Sequence, residues 1–132
     1  MTLEPRPRAT LGPRRRIRKA ADFRAAYAAR NRAADDHLVV YVRPNGRPES
    51  RVGLSVGRRV GNAVCRNRTK RRLRDAFRRA GPAVPHGYDV VLVALAPLDD
   101  LADTDRRLAD LVARAVERCR TRRAPDRKAS GP

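Results

Sequence analysis

The sequence predicts an α+β fold, a two-layer α/β sandwich with helices packed on one face of a small sheet. Three observations carry this. Segments 38–43 and 51–57 alternate in hydrophobicity with period two around a Pro44-Asn45-Gly46-Arg47-Pro48 turn. Residues 88–96 are apolar on both faces, the pattern of a central strand with room for a parallel neighbour. Between and outside these segments the apolar period lengthens to that of a helix. The order read from the residues is helix, strand, strand, helix, strand, helix.

Residues 1–15 are rich in Pro and Arg and are expected to be a flexible basic tail. Residues 19–30 read as a short helix. Ala21, Ala25 and Ala28 share one face, and Phe23, Tyr27 and Arg30 share the other. In the first strand Leu38, Val40 and Val42 point one way and Val39, Tyr41 and Arg43 the other. In the second, Val52, Leu54 and Val56 oppose Gly53, Ser55 and Gly57. A helix over 63–80 is expected, with Asn62 as N-cap and Gly81-Pro82 as its stop. A last helix over 101–122 buries Leu101, Leu108, Leu111, Val112, Ala115 and Cys119. Residues 123–132 read as a second flexible tail, leaving 16–122 as a single domain.

The chain has 132 residues and is 41% hydrophobic, but only two Phe, three Tyr and no Trp. Its core must therefore come from Val, Leu and Ala. Net charge is +18. Such charge opposes compaction unless a polyanion neutralises it, which makes nucleic acid the first candidate partner. Cys65 and Cys119 are expected to be free thiols of a cytoplasmic protein. No metal-ligand spacing, transmembrane run or secretory signal is present in the sequence.

The charge is concentrated. Residues 58–79 hold ten Lys or Arg against the single acid Asp75. Helical spacing sorts them: Cys65, Thr69, Leu73, Ala76, Phe77 and Ala80 form one stripe, with Asn67, Arg71, Arg74 and Arg78 opposite. An ordinary solvated helix face mixes both signs at i,i+4 spacing, and here only Asp75 could pair. Arg66, Asn67 and Arg68 sit in the first turns, where unpaired N–H groups favour an anion. Arginine there makes sense when phosphate arrives. Gly53, Ser55 and Gly57 leave one strand face without bulk, either for close packing of a neighbouring element or as the floor of a groove, with Arg59 at its end. Tyr41 falls on that face. Phe23 and Tyr27 are either core or stacking groups for single-stranded RNA. The acidic pairs Asp35-Asp36 and Asp99-Asp100 lie apart, in turn or N-cap contexts, and His86 follows Pro85 in a loop with no evident partner, so no hydrolytic centre is expected in the protein.

The stretch Arg51-Val52-Gly53-Leu54-Ser55-Val56-Gly57-Arg58-Arg59-Val60-Gly61-Asn62-Ala63-Val64-Cys65-Arg66-Asn67-Arg68-Thr69-Lys70-Arg71-Arg72-Leu73-Arg74 closely resembles the signature of the bacterial ribonuclease P protein component. The resemblance extends through Arg16-Ile17-Arg18-Lys19, Asp22-Phe23-Arg24-Ala25-Ala26-Tyr27 and Val39-Val40-Tyr41, and covers about residues 16–120. It implies the order α-β-β-β-α-β-α, with a further short strand near Asn31–Ala33. It also implies likeness to a small-subunit ribosomal-protein domain with a left-handed βαβ crossover. It implies a catalytic RNA as partner, with magnesium bound mainly by that RNA and no cofactor on the protein. The holoenzyme removes the 5′ leader of precursor tRNA, with one monomeric protein per RNA, so the chain is a subunit of an endonuclease and is inactive alone. By match, Arg66, Asn67, Arg68, Lys70, Arg71 and Arg74 contact the catalytic RNA. Phe23, Tyr27, Tyr41, Ser55 and Arg59 line a cleft for the leader. Departures from the family pattern are Gly57-Arg58-Arg59 in place of Ser-Lys-Lys, and Arg30-Asn31 where a glycine commonly follows the first helix.

A structural rRNA-binding protein is the alternative, since charge and size suit it equally; the ordered motif speaks against it. A nucleoid DNA-binding protein would want a recognition helix and dimer symmetry that the sequence does not display.

Overall fold

The computed structural model describes residues 15–81 and 84–130, with side chains described through residue 122. The elements are α1 (Ala20–Ala29), β1 (Asn31–Ala34), β2 (Leu38–Pro44), β3 (Arg51–Val56), α2 (Ala63–Arg79), β4 (Tyr88–Ala94) and α3 (Leu101–Ser130). The order is the α-β-β-β-α-β-α expected. The four strands form one sheet, β1-β2-β4-β3. β4 lies centrally, antiparallel to β2 and parallel to β3. Its double-sided apolar pattern follows from that place. β3 reaches β4 through α2, a βαβ unit. The short strand implied near Asn31–Ala33 is β1, which has no hydrophobic alternation of its own. It exists because β2 offers it an edge, pairing Asn31 with Val42 through to Ala34 with Val39.

The sheet has two unequal faces. On one, Leu38, Val40, Val42, Val52, Val90, Leu92 and Ala94 meet Leu73, Ala76 and Phe77 of α2 and Leu108, Leu111, Val112, Ala115 and Cys119 of α3. Aliphatic strands against two helices make this the main core, as the lack of large aromatics required. On the other face lies a small cluster: Ile17, Ala26 and Val91, with Phe23, Tyr41 and Val93 packed on it. The expectation that helices cover one face holds for α2 and α3, while α1 rests on the other. α1 uses Ala26, its one buried residue, rather than the Ala21/Ala25/Ala28 face that helical spacing suggested. Ala26 sits one turn from Phe23, so the aromatic side of the helix turns inward at its base.

Two further boundaries differ from the sequence reading. Leu101 is exposed, and Leu98, just ahead of α3, is buried in its stead. α3 continues through Ser130, past the expected end at residue 122. Of the expected N-terminal tail only Arg15 is among the described residues; its Nε donates to the Ser50 carbonyl at 3.4 Å. Beyond it, Ile17 N donates to Val52 O at 2.8 Å, so this segment runs beside β3. Cys65 and Cys119 are both free.

Candidate nucleic-acid interface

α2 begins where the chemistry requires. Asn62 caps it, its Oδ1 accepting from Cys65 N at 2.9 Å. A single 3-10 turn, Arg58–Val60, precedes it, and Gly61 joins the two at φ 144°, a conformation that favours glycine. Thr69, Leu73, Ala76 and Phe77 are buried, as their spacing predicts.

The opposite side of α2 divides in two. Arg72 donates to the Asp99 carbonyl, and Arg79 makes a two-pronged contact with Asp105 of α3, at 2.9 and 2.7 Å. Arg78 pairs with Asp75 at 2.9 Å. Asp75 is therefore not the one available acid, because α3 brings Asp105. In contrast, the side chains of Asn67, Arg68, Lys70, Arg71 and Arg74 make no hydrogen bond or ion pair among the described residues. Arg66 is intermediate: its Nη1 donates to the Gly61 carbonyl at 2.9 Å and braces the helix start. The arginines that hold the fold and those without a protein partner among the described residues are interleaved on the outer surface of one helix.

The second surface lies on the sheet face that carries α1. Strand register aligns Arg32, Tyr41, Val91 and Gly53 in one row, and Ala34, Val39, Val93 and Ser55 in the next. Tyr41 and Ser55 therefore share a face, as the alternation predicts. Tyr27 stands edge-on to Tyr41, ring centroids 4.9 Å apart, and Phe23 is 6.5 Å from Tyr27. Tyr27 is 37% exposed, so it is not core. Phe23 is half-buried and belongs to both the small cluster and the cleft. Gly53 is covered by Phe23, so its want of a side chain serves packing, and the open floor begins at Ser55. Arg59 is exposed at the end of β3.

A polar network invisible to periodicity holds α1 at this angle. Asp89 of β4 has no exposed surface. It takes Arg51 in a two-pronged contact at 2.8 and 2.6 Å and accepts from Asn45 Nδ2 at 2.9 Å. Arg43 lies 3.3 Å away, and Asp22 in the first turn of α1 reaches Arg43 and Arg51 at 3.5 Å each. Burial alone would raise the Asp89 pKa; the Arg51 and Asn45 hydrogen bonds and the nearby guanidinium charges outweigh it, leaving the carboxyl below its usual range. The signal was a lone Asp in an apolar strand.

The two surfaces meet in a pocket lined by Arg16, Arg18, Phe23, Val52, Lys70 and Arg74, among others. Sequence reasoning on charge and stacking had named Phe23, Lys70 and Arg74 but not Arg16 or Arg18. Arg32, also missed, stands over the Tyr41 ring at 5.9 Å. The acidic pairs lie elsewhere. Asp35, Asp36 and His37 come together, but Arg107 lies against both carboxylates at 2.9 and 3.0 Å and meets their charge. Asp100 Oδ1 accepts from Asp103 N at 2.8 Å and caps α3.

Fold and surfaces together define a small, strongly basic α+β protein, with one face suited to phosphates and an adjoining one suited to stacked bases. Residues 11–120 match the family described as Ribonuclease P. The chain belongs to the ribonuclease P protein family. It is 36% identical over 101 residues to the ribonuclease P protein component of Clostridioides difficile, covering 74% of this chain and 89% of that protein. The Streptococcus thermophilus counterpart is 41% identical over 90 residues, 68% of this chain and 80% of the relative. The Staphylococcus aureus RNase P protein structure superposes with a TM-score of 0.67 at 29% identity, over 75% of this chain and 93% of that one. The Thermotoga maritima protein gives 0.65 at 30%, over 74% and 96%.

Proposed function

We propose that this chain is the protein subunit of a ribonuclease P holoenzyme that removes the 5′ leader from precursor tRNA. The observation that carries the reading is the meeting of basic residues of α2 that have no protein partner among the described residues, Lys70 and Arg74, with the aromatic cleft at the Phe23–Lys70–Arg74 pocket. Asn67, Arg68, Lys70, Arg71 and Arg74, with Arg66 at the helix start, hold the catalytic RNA by its phosphates. Phe23, Tyr27, Tyr41, Ser55 and Arg59 receive the single-stranded leader, with Tyr27 as the most accessible stacking surface. The protein supplies position and charge. Bond cleavage belongs to the RNA and the magnesium ions it binds, and one protein monomer serves one RNA in the cytoplasm. No described helix is long and apolar enough to cross a membrane. A structural rRNA-binding role is disfavoured by the family membership.

The test combines the chain with its matching catalytic RNA at low magnesium and follows cleavage and binding of precursor tRNA. The chain should restore cleavage, and neither component alone should. Tyr27→Ala should weaken precursor binding by about 1–3 kcal/mol and leave mature tRNA binding and the melting temperature unchanged. A large stability loss with equal effects on both tRNAs would return Tyr27 to a packing role.

A further inference from the structure

Beyond the cleft, the outer edge of the sheet carries a second basic groove. β1 is an edge strand. α3 runs beside it, and Arg107, Arg114, Arg118 and Arg122 follow one another along one side of the helix, seven, four and four residues apart. The outer two have structural tasks. Arg107 binds Asp35 and Asp36 at the β1–β2 turn, and Arg122 donates to the Ala29 carbonyl at 2.7 Å, where α1 ends. The inner two line an open groove with Arg32, Ala33 and Ala34 of β1. Arg118 is exposed, with no side-chain partner among the described residues. Arg114 has Asp110 at 3.3 Å, a half-exposed pair of the kind that contributes little. Glu117 is the other acid nearby and accepts from Thr121 at 3.4 Å.

Arg32 belongs to both places. It lines the groove, and it stands over Tyr41 in the cleft. The geometry points to a continuous track: a single strand stacked on Tyr27 and Tyr41 passes Arg32 and lays its next phosphates against Arg118 and Arg114. The groove is thus assigned to the upstream part of the leader, the part that the cleft cannot reach. This rests on the cleft reading above. Charge complementarity and continuity through Arg32 favour RNA over another protein strand, because arginines along an edge repel strand addition.

The experiment uses the holoenzyme and precursor tRNAs with leaders of about five and about twelve nucleotides, within the usual span of a single-strand site. Lengthening the leader should tighten binding on the order of tenfold, the scale of one charge-assisted contact. Arg114→Ala with Arg118→Ala should abolish that gain, leave short-leader and mature tRNA affinity unchanged, and flatten the salt dependence of long-leader binding. Three outcomes overturn the assignment. If the variant keeps the gain, or the parent has none, the groove does not hold the leader. If affinity for the catalytic RNA falls for every substrate alike, that RNA is its occupant. If the variant only self-associates, the arginines are edge guards. Tyr27→Ala, run in parallel, separates the two readings: unchanged short-leader binding there sinks the cleft, whatever the groove does.

Discussion

Phe23 lies across Gly53. A Cβ on Gly53 would stand 2.8 Å from Phe23 Cζ and 2.9 Å from Cε1, with the Ile17 Cβ at 3.1 Å. Only a residue without a side chain lets the ring rest on the sheet between α1 and β3.

Gly53→Ala should therefore lift Phe23 and widen the cleft. The expected cost is about 1–3 kcal/mol of stability, typical of overpacking, with a selective loss of precursor over mature tRNA binding. Thermal melts and paired binding assays read both. An unchanged melting temperature and unchanged precursor affinity would show that the ring is free to move.

Arg66 and Arg68 should separate. Arg68 is exposed and its side chain makes no hydrogen bond or ion pair among the described residues, so Arg68→Ala should leave stability within about 0.5 kcal/mol while weakening catalytic-RNA binding by about 1.5–3 kcal/mol. Arg66 donates to the Gly61 carbonyl. Arg66→Ala should weaken RNA binding and also lower stability by about 1 kcal/mol. Denaturant melts of the free protein distinguish them, and identical curves for the two variants would contradict the bracing role.

Asp89 predicts an acid dependence with a definite sign. Its folded pKa lies below its unfolded value, near 3.9. Its stabilisation is therefore complete above the unfolded value and is lost as pH falls through the folded one. Asp89→Asn leaves Arg51 without its buried carboxylate and should cost roughly 3–5 kcal/mol at neutral pH. The gap between parent and variant should narrow below about pH 4 as the parent loses its own contribution. Denaturant melts between about pH 2 and 7 measure this, and a gap constant with pH would exclude the ionised pair as the cause.

Arg30 closes α1 at φ 62°, the only non-glycine residue at positive φ among the described residues. A left-handed arginine is strained by about 1–3 kcal/mol, against about 0.5–1 kcal/mol for the extra chain freedom of glycine. Arg30→Gly should raise stability by about 1 kcal/mol, or several degrees in melting temperature. A fall instead would mean that the Arg30 side chain contributes more than its backbone costs.

What the sequence could disclose followed from periodicity. The buried stripe of α2, the central place of β4 and the common face of Tyr41 and Ser55 all arise from spacing that each strand or helix carries within itself. What stayed hidden depended on partners distant in the chain. β1 has no pattern because β2 creates it. Ala26 rather than Ala25 is buried because α1 settles against Val91, a residue some sixty positions away. Asp89 looked like a blemish in a hydrophobic run until Arg51, Arg43 and Asn45 surrounded it. Whether Phe23 and Tyr27 were core or cleft could not be decided by helical spacing, since the answer differs between them: one is half-buried and the other open.

The imbalance between the two sheet faces sets how the molecule breathes. Among the described residues, twenty buried ones hold the face under α2 and α3, and three hold the face under α1. Amide protons of α1 should exchange through local openings that leave the strands and the other helices closed, since opening free energies track the contacts each unit must give up. The jaw of the cleft is thus its own cooperative unit, clipped to the rest by Asp22 and Ile17. It can adjust its opening without disturbing α2 or the core beneath it.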